Sequence, residues 1–241
     1  MRSARLAVVL VAHGSRDPRA AAATSALARA VRLARPDWDV YAAYLDHSGP
    51  RPLDVLAALG RRRAVVVPLL LTAAYHGRVD VPAVLEAASG LGLAVEVSLA
   101  DVLGPVSPLL VDALVRRLGD PGLDAVVLAA AGTRDAAARS TVEQAATALG
   151  ARLSVPSGVA YASAAPPTAG AAVERLRALG ARRVAVASYF LAPGLLYDVA
   201  VESALAAGAV AVAPPLTDAP ELVRLVEARV AEVQGARLIA A

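Results

Sequence analysis

Short apolar runs alternate along the chain with longer stretches that are rich in alanine and arginine. Continuous apolar runs of this length predict strands buried on both faces, and the amphipathic stretches predict helices. This order is typical of a parallel sheet covered by helices on both faces. In the first half, strands are predicted at residues 6–12, 39–45, 64–71 and 94–99, and helices at 17–34, 52–59, 81–88 and 106–118.

The same order begins again after the turn-forming sequence Gly119-Asp120-Pro121-Gly122. We therefore predict an α/β protein with two similar domains, residues 1–120 and 121–241. Each should hold a mainly parallel four-stranded sheet with helices on both faces, and a cleft should lie between the domains. In the second half, strands are predicted at 124–130, 152–161, 183–191 and 209–213, and helices at 136–149, 168–179, 196–206 and 219–233.

The two halves also match residue by residue. Residues 8–17, Val-Val-Leu-Val-Ala-His-Gly-Ser-Arg-Asp, align with residues 126–135, Val-Val-Leu-Ala-Ala-Ala-Gly-Thr-Arg-Asp. Residues 58–63 align in the same way with residues 178–183. We interpret this match as an internal duplication, since a period of about 120 residues is far too long for a solenoid repeat.

Composition narrows the class of protein. Hydrophobic residues make up 57% of the chain, which is enough for a real core, whereas aromatic residues make up only 3%. So few stacking side chains argue against binding of single-stranded nucleic acid. The net charge of +3 is a mild basic excess that would suit an anionic small molecule. The absence of cysteine excludes disulfides, thiolate nucleophiles and cysteine-ligated metal sites.

No apolar run reaches the ~18 residues of a membrane span. The first run is short and lacks a cleavage site of small residues, so it is interpreted as a buried strand instead of a signal peptide. We expect a cytoplasmic protein with no membrane partner, either a monomer or a homodimer.

All the histidines of the chain follow predicted strands of the first half. His13 follows the first strand, Asp46 and His47 follow the second, and His76 follows the third. In open α/β sheets, ligands bind beyond the carboxyl ends of the strands, so these side chains should meet at one rim. Imidazoles with a carboxylate suit a divalent transition metal such as iron, cobalt, nickel or zinc.

The second half has lost these polar residues together, as expected if they form one site. Its counterparts are Ala131 for His13, Ser163 for Asp46, and Leu196 or Gly194 for His76, while residues 132–135 keep the turn.

Asp46 and His47 are neighbours on a strand end, so their side chains should point in different directions. We favour Asp46 as a metal ligand or as the partner of a ligand. We interpret His47 as a rim residue that contacts substrate, and a solvated loop histidine is the alternative. Ser15 lies in no Gly-x-Ser-x-Gly motif and more simply caps the helix that starts near Asp17. No glycine-rich nucleotide-binding loop is present, so nucleotide cofactors have no support.

At these residues the chain resembles the sirohydrochlorin chelatases of the CbiX/SirB type, in the class II chelatase superfamily. The matching segments are residues 11–18, Tyr44-Leu45-Asp46, and residues 67–82, which combine a strand, His76 and an Asp-x-Pro helix start. The resemblance extends through both halves, because two-domain members of the family have a degenerate second repeat.

The resemblance implies insertion of a divalent metal into sirohydrochlorin without nucleotide hydrolysis. The metal, Fe²⁺, Co²⁺ or Ni²⁺, would be a substrate, and no cofactor would be bound permanently. His13 and His76 match the metal-binding and catalytic histidines, and Asp46 stands where the family usually has glutamate. Because the tetrapyrrole carries many carboxylates, arginines should bind it. The predicted substrate-binding set is Ser15, Arg16, His47, Arg51, Arg78 and Arg134.

Several activities fit this sequence. The first is a ferrochelatase of siroheme biosynthesis, and a cobaltochelatase of cobalamin biosynthesis would use the same ligands. The other candidates are a non-catalytic carrier of metal or tetrapyrrole, and an α/β hydrolase that handles phosphate.

Overall fold

The computed structural model describes residues 5–72, 81–119 and 122–240. Strands and helices alternate throughout these residues. The strands are β1 Leu6–Ala12, β2 Trp38–Tyr44, β3 Arg63–Pro68, β4 Glu96–Leu99, β5 Ala125–Ala130, β6 Ser157–Tyr161, β7 Val184–Tyr189 and β8 Ala211–Val212. The helices are α1 Pro18–Ala34, α2 Pro52–Ala58, α3 Val81–Gly90, α4 Pro108–Leu118, α5 Ala136–Leu153, α6 Ala169–Ala178, α7 Leu195–Ala206 and α8 Pro220–Ala240.

The strands form two separate four-stranded sheets, in the orders β2-β1-β3-β4 and β6-β5-β7-β8. Every strand pair in both sheets is parallel. The predicted α/β fold with two similar sheets is thereby confirmed. In the first sheet β1 lies between β2 and β3, and Val11 pairs with Pro68 while Ala12 pairs with Tyr44. The carboxyl ends of these three strands therefore lie side by side.

The first strand of each half, β1 or β5, is an internal strand of its sheet, is apolar on both faces and contributes to the core. Val8, Val9 and Leu10 of β1 are completely buried, as are Val126 and Val127 of β5. A strand can be apolar at successive positions only where helices cover both faces of its sheet. The residues that directly follow these buried strands therefore lie at the edge of the packed core.

Three predicted boundaries in the second half are wrong by four residues or more: the end of α5, the start of β6 and the end of α8. Strand β6 begins at Ser157 instead of residue 152, because α5 continues to Leu153 before Ser154 ends it in a left-handed conformation. Residues 150–153 pack as the last turn of an alanine-rich helix, and alanine is the best helix former. Helix α8 also runs past residue 233, to Ala240.

The compact units do not divide at the boundary of the sequence repeat. One unit holds Met1–Leu103 together with Leu222–Ala241, and the other holds Gly104–Glu221. Helix α4 packs on α5 and β7 in the second unit. In the first unit, Arg229 of α8 donates a hydrogen bond from Nε to the carbonyl oxygen of Val102 across 2.9 Å. The predicted boundary after residue 120 thus coincides with the sequence repeat, and each unit includes one helix from the other side of that boundary, α8 in the first unit and α4 in the second.

No helix within the described ranges combines the length and the apolarity that crossing a membrane requires.

Candidate functional site

His13 and Asp46 lie beside each other at the carboxyl edge of the first sheet. The backbone pairing of β1 with β2 continues past the ends of both strands. The amide of Leu45 donates to the carbonyl oxygen of Ala12 across 3.0 Å, and the amide of Asp46 donates to that of His13 across 2.8 Å. Both His13 and Asp46 are exposed, so their side chains are accessible to a ligand at this rim.

Gly14 makes the close approach of these two loops possible. Its φ of +95° lies in the region that glycine populates without steric penalty. A Cβ atom at this position would lie 1.8 Å from the carbonyl oxygen of Asp46, which is far inside van der Waals contact. The backbone after β1 is therefore packed directly against the backbone after β2.

The loop that carries Asp46 is a hydrogen-bonded turn. The amide of Ser48 donates to the carbonyl oxygen of Asp46 across 2.7 Å, and the amide of Tyr44 donates to that of Pro50 across 3.0 Å. The hydroxyl of Ser48 reaches across to the loop after β1 and donates to the carbonyl oxygen of Ser15 across 3.2 Å. The Arg51 guanidinium donates to the carbonyl oxygen of Leu45.

Cationic and polar groups surround the Asp46 carboxylate. Its Oδ1 accepts a hydrogen bond from the His47 amide across 2.8 Å. Nε2 of His47 lies 3.4 Å from Oδ2, and Nη2 of Arg51 lies 3.7 Å from Oδ1. The His47 amide lowers the pKa of Asp46 below its usual value, desolvation opposes this effect, and the charges of His47, Arg51 and His13 lower the pKa further. Asp46 is therefore an anion near neutral pH, the form in which a carboxylate binds a cation.

The predicted divergence of the Asp46 and His47 side chains is wrong. Strand β2 ends at Tyr44, and His47 has a φ of 59°, in the left-handed region. The alternation of side chains along a strand therefore does not extend to this pair, and the His47 imidazole turns back toward the carboxylate.

The predicted capping role of Ser15 also needs correction. The N-cap of α1 is Asp17, whose side chain accepts a hydrogen bond from the Arg19 amide. The Ser15 hydroxyl instead accepts from the Asp17 amide across 3.1 Å, so it organises the loop before the helix.

The structure brings His13, Asp46, His47 and Arg51 together, whereas His76 and Arg78 lie outside the described residues. Arg16 is exposed on the His13 loop. Arg134 is exposed in the second unit, and its carbonyl oxygen accepts a hydrogen bond from Arg139 across 2.8 Å. Within the described ranges, which omit residues 73–80, no three His, Cys, Asp or Glu residues cluster as metal ligands would.

The second unit repeats the backbone of this site without the histidine and the aspartate. The Ser163 amide donates to the carbonyl oxygen of Ala131 across 3.0 Å. Gly132 has a φ of +95°, and a Cβ there would lie 1.9 Å from the carbonyl oxygen of Ser163. Ala131 and Ser163 therefore occupy the places of His13 and Asp46, as the sequence alignment predicts.

Gly14 and Ser48 are structural members of the site to which sequence reasoning gave no role. A signal for Gly14 was present, since the duplicated halves keep Gly14 and Gly132 while they differ at the preceding residue, His13 or Ala131. Ser48 had no such signal, because the residue at the corresponding place of the second turn is Ala165, whose amide donates to the carbonyl oxygen of Ser163.

Comparisons with known proteins agree with this architecture. The CbiX family model matches residues 7–120 and 125–233, so it covers both halves. SirB from Bacillus subtilis with Fe³⁺ is similar to this chain, with a TM-score of 0.77 and 21% identity over 95% of this chain and 96% of SirB. SirB from Bacillus subtilis subspecies spizizenii in complex with cobalt has a TM-score of 0.74 and 22% identity over 95% of each chain.

A third similar structure is CbiX, the terminal enzyme for biosynthesis of siroheme in denitrifying bacteria. It has a TM-score of 0.66 and 18% identity over 95% of this chain and 99% of CbiX. These likenesses establish a shared fold across both sheets. No curated protein sequence matches this chain.

Proposed function

This chain belongs to the CbiX family, and from that membership we propose that it is a sirohydrochlorin chelatase, which inserts a divalent metal into sirohydrochlorin. The observation that carries the proposal is the match of the family model to both halves. The placement of His13 beside Asp46 at the carboxyl edge of the first sheet supports it, because this edge is where α/β sheets bind their ligands. Membership of the family also supports the assignment of His13 and His76 as the residues that bind the metal.

The reaction exchanges protons for a metal ion. The ion must exchange its bound water for the pyrrole nitrogens, and two N–H protons must leave the macrocycle as the dication enters. We assign both tasks to His13 and His76. A neutral imidazole binds a divalent ion, and near neutral pH it can also accept a proton. The histidines would thus deliver the ion and take up the protons that it displaces.

Asp46 would supply negative charge to the incoming cation. Its carboxylate is half-exposed, and its lowered pKa keeps it ionised over the physiological pH range. Aspartate is one methylene shorter than the glutamate that the family usually has here. Asp46 would therefore reach the metal through a bound water or after a small shift, while the side chains of His47 and Arg51 stay near its carboxylate.

Exposed arginines would bind the carboxylates of the tetrapyrrole. Arginine is suited to this role, because its planar guanidinium pairs with a carboxylate through two hydrogen bonds. Arg16, Arg78 and Arg134 are the candidates. Arg51, in contrast, already donates to the carbonyl oxygen of Leu45, so we assign it to the turn that holds Asp46.

We propose Fe²⁺ as the metal and siroheme as the product. Cobalt insertion, toward cobalamin, is the second candidate. Imidazole and carboxylate ligands accept both ions, and the solved SirB structures named above hold Fe³⁺ in one case and cobalt in the other.

Spectroscopy of the purified full-length chain tests the proposal. The protein is incubated anaerobically with sirohydrochlorin and either Fe²⁺ or Co²⁺, and the absorption spectrum of the macrocycle is followed. Insertion faster than the spontaneous rate supports the chelatase, and the larger kcat/KM identifies the preferred metal. A bound but unmetallated macrocycle would instead support a carrier, and hydrolysis of a phosphoester would support the hydrolase.

A further inference from the structure

We propose that Gly14 is a positioning residue that fixes the spacing between His13 and Asp46 for metal binding. The inference rests on the proposed chelatase function, which assigns both side chains to the metal. Gly14 follows His13 directly, and it is the residue that contacts the backbone of Asp46. It therefore couples the loop after β1 to the loop after β2 at the point where each carries its proposed ligand.

The contact leaves no room for a side chain. A Cβ on Gly14 would lie 1.8 Å from the Asp46 carbonyl oxygen and 2.9 Å from the carbonyl carbon. Because Cβ atoms essentially never approach other heavy atoms within 3.0 Å, the Asp46 backbone would have to move by about 1 Å. The amide of this same residue donates to the carbonyl oxygen of His13 across 2.8 Å. A displacement of Asp46 would therefore change its position relative to His13.

The loops are tied at a second point by a side chain. The Ser48 hydroxyl donates to the carbonyl oxygen of Ser15 across 3.2 Å. This bond and the Asp46–His13 bond lie on either side of Gly14 along the chain. Gly14 thus lies between the two hydrogen bonds that join these loops. Its lack of a Cβ determines how closely the loop after β1 approaches the loop after β2.

Metal sites tolerate little displacement of their ligands. Ligand distances in protein metal sites fall within about 0.2 Å of ideal values, and loss of a residue that supports a ligand typically weakens metal binding 10–100-fold. Misplacement of a reacting group by about 1 Å can lower a reaction rate by about 100-fold. A methyl group at position 14 should therefore weaken metal binding more than the loss of folding stability alone would explain.

The second unit supplies a matched control. Gly132 has the same φ of +95°, and its Cβ would meet the Ser163 carbonyl oxygen at 1.9 Å. The preceding residue there is Ala131, which cannot bind a metal through its side chain. Gly14→Ala and Gly132→Ala thus impose the same steric and conformational penalty on the same kind of turn. They differ in whether the proposed metal ligands flank the substitution.

The experiment compares these variants in the full-length protein with Co²⁺ as the probe. The measurements are the Kd for Co²⁺ by isothermal titration calorimetry, the kcat/KM for Co²⁺ insertion into sirohydrochlorin, and Tm. We expect both variants to lower Tm by similar amounts. Gly14→Ala should raise the Kd for Co²⁺ by 10–100-fold and lower kcat/KM by about 100-fold, whereas Gly132→Ala should leave the Kd for Co²⁺ within about twofold of the unmodified protein.

Equal effects of the two variants on Co²⁺ affinity would overturn the positioning role. If Gly14→Ala does not fold, Ser48→Ala takes its place, because it removes one side-chain hydrogen bond without a steric clash. We expect Ser48→Ala to raise the Kd for Co²⁺ several-fold while Tm stays within a few degrees, and an unchanged Kd would then count against the proposal. An unmodified protein that binds Co²⁺ but inserts no metal would refute the chelatase function alone. A protein that binds neither Co²⁺ nor Fe²⁺ would refute both.

Discussion

Nε2 of His47 lies 3.4 Å from Oδ2 of Asp46, so imidazole and carboxylate form one polar pair beyond the end of β2. The backbone amide of His47 also donates to Oδ1 of Asp46. His47 thus contacts the carboxylate through both its main chain and its side chain. We infer that His47 affects metal insertion through Asp46, whereas His13 and His76 are the proposed metal ligands.

Removal of either proposed ligand should abolish insertion. We expect His13→Ala and His76→Ala each to lower kcat/KM by at least about 100-fold, because each change removes an imidazole that holds the metal and accepts a proton. His13 is exposed, so Tm should stay within a few degrees of the unmodified protein. Initial rates from absorption spectroscopy give kcat/KM, and thermal unfolding gives Tm.

His47→Ala provides the comparison for these variants. It leaves the backbone hydrogen bond to Asp46 in place and removes only the imidazole, so we expect a loss of less than about tenfold in kcat/KM. Full activity of His13→Ala or His76→Ala would contradict the assigned site. A loss in His47→Ala as large as that in His13→Ala would mean that His47 is itself a ligand.

The charge of the Asp46 side chain should affect Co²⁺ binding more than its length does. Asp46→Asn keeps the size of the side chain and removes the charge, and it should weaken Co²⁺ binding at least tenfold. Asp46→Glu keeps the charge and restores the length that the family usually has, so it should bind Co²⁺ as tightly as the unmodified protein or more tightly. Ser163→Asn in the second unit is the control. Equal Kd values for the Asn and Glu variants would exclude a role for the charge.

The fold was predictable because its central strands are apolar without interruption. The pattern at residues 6–12 predicts β1 at its observed bounds, Leu6–Ala12, since a strand buried on both faces needs no polar position. The end of α5 was not predictable in the same way. Gly150 favours a helix end near residue 149, yet α5 continues through Gly150 to Leu153 and ends only where Ser154 adopts a left-handed conformation, two residues before Pro156.

The sequence predicts which strand ends carry the polar residues of the site. It does not predict how their side chains are oriented. The order of strands places His13 beside Asp46, as the parallel-sheet argument predicts. The orientation of His47 depends on a positive φ, which histidine adopts uncommonly. The role of Gly14 depends on a contact between residues far apart in sequence, which no local pattern encodes.

Arg16 should bind substrate and leave the chemical step unaffected. It is exposed on the loop that carries His13, where its guanidinium can pair with a carboxylate of the tetrapyrrole. We expect Arg16→Ala to raise KM for sirohydrochlorin several-fold with little change in kcat, and to leave the Kd for Co²⁺ unchanged. Arg35→Ala is a matched control, because Arg35 pairs with Asp37 at the opposite end of α1. An unchanged KM in Arg16→Ala would remove Arg16 from the substrate site.

Asp39 should stabilise the first unit in a pH-dependent manner without affecting insertion. It lies near the start of β2, at the opposite end of the strand from Asp46, where its carboxylate accepts a hydrogen bond from Arg62. That hydrogen bond is the main cause of the lowered pKa of Asp39, and the charges of Arg62 and Arg5 add to it. The folded state therefore holds the Asp39 proton less tightly than the unfolded state does.

The sign of the pH effect follows from this difference. The stability that Asp39 contributes is complete above its unfolded pKa of about 3.9, and it is lost as pH falls through the lower folded value. Asp39→Asn should lower the free energy of unfolding by about 1 kcal/mol at pH 7, which corresponds to roughly 2–4 °C in Tm. The difference from the unmodified protein should shrink as pH falls below about 4. Asp101→Asn removes the same charge at an exposed position and serves as the control. A Tm difference for Asp39→Asn that stays constant from pH 7 to pH 3 would exclude the Arg62 pair as its source.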